Sequence, residues 1–118
     1  MSDNNERRLY PRVPLRMLVQ FRLHDMDEFM REHAINLSAG GIFVRTGDPH
    51  PAGAMIYLQF TLADGAKIIE GLGRVVHVNP PGHQEPGMGI EFVNLDRKSR
   101  KLIDKIIKER LAAMKHGA

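Results

Sequence analysis

The hydrophobic pattern changes period once, near residue 96, and that change constrains the fold more than any other feature. Before it, Leu15, Met17, Val19, Phe21 and Leu23 alternate with Arg16, Leu18, Gln20 and Arg22, the period of two of a strand with one buried face. His24–Glu28 then reads as a polar hairpin turn and Phe29–Leu37 as the return strand. Ser38–Gly41 is a Gly-rich turn ahead of a short β-branched strand, Ile42–Arg45, and Thr46–Ala54 is a loop. Met55–Leu62 and Lys67–Val78 form a hairpin across Ala63-Asp64-Gly65, with Gly71 and Gly73 marking a bulge or bend. Asn79–Pro86 is a loop, and Met88–Val93 is the last strand. After it, Leu102, Ile103, Ile106, Ile107, Leu111 and Met114 recur at helical spacing, with Asp96 as N-cap and Gly117 as a stop. Six short strands and one amphipathic helix predict a mainly β fold, an antiparallel barrel or sandwich whose core also receives the helix.

At 118 residues, one domain is expected. The expected boundaries are a polar tail over 1–6 and a single domain over 7–115, made of an extended arm (7–14), the β body (15–95) and the helix (96–115). The chain has no cysteine, which excludes disulfides, thiolate metal sites and a cysteine nucleophile. No apolar run approaches the roughly 20 residues of a membrane span, so no membrane insertion is expected. The polar start MSDNNERR lacks the apolar segment of a secretory signal, so the expected location is cytoplasmic.

Candidate chemistry thins out on inspection. No two of His24, His33, His50, His77, His83 and His116 stand at metal-ligand spacing, so no metal is expected. Ser38 lacks the preceding glycine of a nucleophile elbow, and Gly71-Leu72-Gly73 has no third glycine for a dinucleotide loop. Asn36-Leu37-Ser38 is a glycosylation sequon without a secretory context. Asp25, Asp27 and Glu28 sit in a turn open to solvent. No catalytic residues are expected, and the chain is read as a non-enzyme.

Charge is more informative. Between Arg97 and Lys115, eight Lys and Arg face only Asp104 and Glu109, whereas the rest of the chain carries nine basic and twelve acidic residues. Within that acidic remainder, Arg7, Arg8 and Arg12 cluster on a segment that Pro11 and Pro14 hold extended. Three guanidiniums so close repel one another unless an anion sits among them, and Arg forks grip phosphate bidentately. A second feature is Asn36-x-Ser38-x-x-Gly41, with Gly40 adjacent. Asn offers a donor and an acceptor to a base edge, Ser a small hydroxyl, and Gly40-Gly41 permits φ > 0 and close approach of a ligand.

Together these features resemble the PilZ domain family. Arg8-x-x-x-Arg12 matches its first motif and Asn36-x-Ser38-x-x-Gly41 its second, with a late Gly-Met-Gly-Ile-Glu-Phe strand and a helix following. The resemblance spans about residues 6–115. It implies a six-stranded antiparallel β-barrel with a C-terminal helix that binds the bacterial second messenger cyclic di-GMP. Arg8 and Arg12 would grip phosphates and guanine edges, Asn36 and Ser38 would meet a guanine, and Gly41 would keep the turn open. A basic residue just before the first motif, here Arg7, is associated in the family with an intercalated ligand dimer, implying two molecules per chain. His77 aligns where family members often carry an aromatic late in the fifth strand.

The reading that follows is a cytoplasmic receptor whose arm orders on the ligand and presents a new surface to a protein partner of unknown identity. A second reading has the basic helix binding nucleic acid or an acidic protein directly. The scarcity of aromatics for base stacking argues against nucleic acid.

Overall fold

The structure, a computed structural model, describes residues 18–117, with side chains to Met114. The elements in chain order are β1 (Leu18–Leu23), α1 (Met26–Glu32), a 3-10 turn (Ala34–Asn36), β2 (Gly41–Arg45), β3 (Met55–Leu62), β4 (Lys67–Asn79), β5 (Gly87–Leu95) and α2 (Arg97–Gly117). The mainly β class with a C-terminal helix is as expected. The described residues form one five-stranded sheet in the order β1-β3-β4-β5-β2, curled into a half-barrel rather than a closed six-stranded one.

The missing strand is Phe29–Leu37. Asp25 accepts a hydrogen bond from the Glu28 backbone N–H at 2.9 Å, and Glu28 accepts one from the His24 N–H. This reciprocal cap starts a helix where a hairpin turn was expected. Met26, Phe29, Met30 and His33 then follow at helical spacing and face the core. With no return strand beside it, β1 pairs in parallel with β3, Val19 opposite Leu58 and Phe21 opposite Phe60. The sheet is therefore mixed, not antiparallel. α1 packs on β1 and the 3-10 turn packs on β2, so this segment bridges the two open edges of the sheet.

The remaining strands follow the sequence closely. β3 and β4 turn at Gly65, whose φ of 94° lies in the left-handed region that glycine tolerates. The β4–β5 register shifts between Leu72 and Gly73, where a bulge was expected, and again between Val75 and His77. The inner face carries Ile56, Leu58, Phe60, Ile69, Val75, Val44, Met88 and Ile90, all buried. α2 closes this core with Ile103 and Ile106 against β4. Asp96 caps it by accepting from the Ser99 N–H at 2.8 Å, while the Ser99 hydroxyl accepts from the Glu70 N–H at 2.8 Å, tying the helix start to β4. Of the apolar stripe read from the sequence, Leu111 and Met114 lie outside this core and are exposed.

At the α1 end, Phe21 stacks on Phe60 with centroids 4.9 Å apart, and Phe29 and His33 meet Phe60 edge-on at 5.4 and 5.2 Å. His33 is only 4% exposed, and its Nδ1 is buried with no hydrogen-bond partner among the described residues. Burial lowers its pKa from the ordinary 6.5; Glu32 opposes this shift, Arg45 adds to it and Glu28 opposes it. The proton therefore prefers the unfolded chain. The stabilisation is complete above the ordinary imidazole pKa and is lost as pH falls below it toward the folded value. The melting temperature is expected to fall by several degrees between pH 7.5 and pH 5, and His33→Phe should flatten that slope. An unchanged slope in the variant would assign the acid sensitivity elsewhere.

Candidate functional site

The Asn36–Gly41 segment enters β2 through a tightly bonded turn. Leu37 forms an isolated bridge with Ile42, and the Ser38 N–H donates to the Gly41 carbonyl at 2.9 Å. The Ser38 hydroxyl accepts from the Gly40 and Gly41 N–H groups, both at 3.2 Å, and donates to the Gly41 carbonyl at 3.3 Å. A hydroxyl has one proton and two lone pairs, so all of its capacity is engaged within the turn. Asn36, the last residue of the 3-10 turn, is exposed, and its side chain bonds to no other described residue.

Neither Gly40 nor Gly41 adopts a positive φ, contrary to the expected use of these glycines. Gly41 is needed for close approach instead. It pairs with Glu91, and a Cβ there would fall on the Ile90 carbonyl oxygen, with the Ile90 carbon at 3.3 Å. Gly40 faces open space, while its carbonyl accepts from the Phe92 N–H at 2.9 Å.

Two arginines of α2 hold this turn from the other side. Arg100 Nη1 donates to the Ala39 carbonyl at 2.9 Å. Arg110 Nη1 donates to the carbonyls of Ala34 and Leu37, and its Nη2 to that of Ile35 at 3.3 Å. These are charge-assisted bonds to backbone oxygens of the 3-10 turn and of the segment that follows it; the Ala34 carbonyl also accepts from the Leu37 N–H at 3.0 Å. The sequence reading of the basic helix assigned no bracing role to either arginine. The signal available was spacing: Arg100, Ile103, Ile107 and Arg110 share one helical face, whereas Lys98, Lys101, Lys105 and Lys108 do not and are exposed.

β2 carries the turn onto the outer face of the sheet. Phe43 follows Gly41 on that face, one pleat repeat or roughly 7 Å along. Phe43 and His77 both pair with Gly89 of β5, one from each side. A Cβ at Gly89 would contact the His77 Cβ at 3.4 Å and the Phe43 ring at 4.0 Å, so glycine leaves a shallow floor between two rings. The exposed His77 ring is fixed by Asn79, Nε2 to Oδ1 at 2.8 Å, and Asn79 in turn donates to the Glu85 carbonyl at 3.0 Å. The next row toward the turn holds an Arg74–Glu91 ion pair at 3.0 Å beside Gly41. In the opposite direction, beyond Phe43, an open cavity of about 500 Å³ includes Arg45 and Glu85, paired at 3.5 Å.

The structure thus brings Gly41 and His77 to one outer face, with Asn36, Ser38 and Gly40 in the turn that leads into it. Phe43 and Gly89 were not singled out from sequence; strict alternation from Gly41 places Phe43 on this face. Arg7, Arg8 and Arg12, with the rest of the expected arm, lie outside the described residues. Among the described residues no group of three or more His, Cys, Asp or Glu could hold a metal, and no helix is long and apolar enough to cross a membrane.

No curated protein matches this chain closely enough to be counted a relative. The PilZ domain model matches residues 6–109, taking in both the arginine segment and the Asn36–Gly41 turn, and the chain belongs to the PilZ domain family.

Proposed function

We propose that this protein is a receptor for cyclic di-GMP, acting in the cytoplasm without catalysis of its own. PilZ domains are generally receptors for that messenger and bind partner proteins. The observation that carries the reading for this chain is the braced Asn36–Gly41 turn opening onto an outer face with two rings across a glycine floor. Asn36 offers donor and acceptor to a guanine edge, and Ser38 acts chiefly by shaping the turn. Phe43 and His77 supply flat surfaces on which a base can stack. Arg8 and Arg12 grip the phosphates, and Arg7 adds the charge that a second, intercalated ligand requires. Ordering the arm costs roughly 1–2 kcal/mol per residue. Several charged hydrogen bonds at roughly 1.5–3 kcal/mol each offset that cost. The ordered arm and its surroundings are then what a partner reads.

Calorimetric titration of the full chain with cyclic di-GMP, beside GTP and a short DNA, tests this. Binding is expected for cyclic di-GMP alone, at a ratio near two per chain. Arg8→Ala or Arg12→Ala should weaken it at least about tenfold, as loss of a charged hydrogen bond requires. A double variant with unchanged affinity would remove the receptor assignment. A ratio of one would remove only the role given to Arg7.

A further inference from the structure

Beyond messenger binding, we propose that the groove between the Leu37–Ala39 turn and the end of α2 is the docking site for an acidic amphipathic segment of a partner protein. The groove has a volume of about 230 Å³, with Ile107, Leu111 and Met114 on the helix side and Leu37 and Ala39 on the other. Leu111 is 55% exposed and Met114 70%, and Ile35 on the adjacent 3-10 turn is 65% exposed. Three large apolar side chains left in water beside one groove mark an interaction surface rather than scattered exposure. The groove's geometry is fixed, because Arg110 joins its two walls through the carbonyls of Ala34, Ile35 and Leu37.

Charge selects the occupant. Arg97, Lys101 and Lys108 lie along the next stripe of α2 beside Ile107 and Leu111, all exposed, with Asp104 the one acid among them and the Arg110 guanidinium on the other flank. An apolar floor with a basic rim fits a segment that presents apolar anchors at i, i+3, i+4 and i+7 on an acidic background. The protein's own arm, with Arg7, Arg8 and Arg12, would be repelled by this rim. A second copy is a poor fit as well. Its acidic helix α1 turns Met26, Phe29 and Met30 into its own core, and packing through the same Leu111–Met114 patch would set the Arg97, Lys101 and Lys108 rims of two copies against each other.

The test uses the full chain and a fluorescent synthetic peptide with Leu at i, i+3, i+4 and i+7 and Glu elsewhere, beside a counterpart with Lys for every Glu. Anisotropy should show the acidic peptide binding at least about tenfold tighter than the basic one, with an affinity that falls as salt rises. Leu111→Glu with Met114→Glu should weaken it at least about tenfold without lowering the melting temperature, since both side chains are exposed. Equal binding of the two peptides, or unchanged binding to the double variant, would overturn the proposal. Two other results would also overturn it by naming a different occupant. One is a dimer seen by light scattering that the double variant abolishes. The other is a nuclear Overhauser contact between the Tyr10 ring and the Met114 methyl in the free protein.

Discussion

Ile106→Asp is expected to abolish cooperative folding. Ile106 is 3% exposed, one turn beyond the fully buried Ile103, and these two residues bring α2 onto β4. Truncating a buried isoleucine costs roughly 2–5 kcal/mol through lost transfer energy and the cavity left behind. A carboxylate there adds the desolvation of a charge with no cation facing it, because the lysines of α2 point to solvent. Against a total stability of roughly 5–15 kcal/mol, that sum leaves little or no folded protein. Circular dichroism should show no sigmoidal melt, or a midpoint lowered by roughly 20 °C or more. Reversing Lys101 and Lys105 to Glu is the control: both are exposed, and such changes usually stay within about 0.5 kcal/mol each. A cooperative melt near the parent midpoint for Ile106→Asp would mean that α2 is not seated on the core as described.

The parts of the fold that the sequence made legible are those in which local pattern and tertiary burial agree. Met55–Leu62 is an apolar, β-compatible run and the Met88–Phe92 core of the last strand alternates, and each is a strand with its apolar face inward. The return strand over Phe29–Leu37 failed for a local reason. Met30 and Glu32 against Arg31, His33 and Ile35 reads as period two. The capping pair Asp25 and Glu28 and the spacing Met26, Phe29, Met30, His33 give the helical period instead. Capping chemistry wins there, because the start of the segment is a single well-bonded helical turn. The parallel β1–β3 pairing could not be read locally, since it arises only once that strand is absent. In the site, the motif residues Asn36, Ser38 and Gly41 were legible as a turn. Arg100 and Arg110 were not, because their partners are backbone carbonyls some 60 to 76 residues earlier and carry no side-chain signature.

Gly41→Ala is expected to damage both the fold and ligand binding, and Gly40→Ala only the latter. At Gly41 the added methyl would fall on the Ile90 carbonyl oxygen and come within 3.4 Å of the Glu91 Cα. These are backbone atoms of β5, which β4 holds on its other side, so the obstruction cannot rotate away as a side chain would. β2 must therefore move outward at its first residue. That movement strains the Gly40 carbonyl bond with the Phe92 N–H and the bonds by which Ser38 closes the turn. Overpacking of this kind typically costs roughly 1–3 kcal/mol. For a domain of this size each kcal/mol lowers the midpoint by roughly 4–8 °C. Gly40 meets nothing within 4 Å and has no positive φ, so alanine is accommodated and the melting temperature should stay within a few degrees. If a messenger lies against this turn, the Gly40 methyl nevertheless stands in its approach, and affinity should fall at least about tenfold with the fold intact. The pair separates the two roles of the glycines: thermal melts read the β2–β5 packing, and calorimetry reads the ligand surface. A Gly41→Ala variant that melts with the parent would show that β2 does not approach β5 as closely as described. A Gly40→Ala variant with parental affinity would move the bound messenger away from the turn.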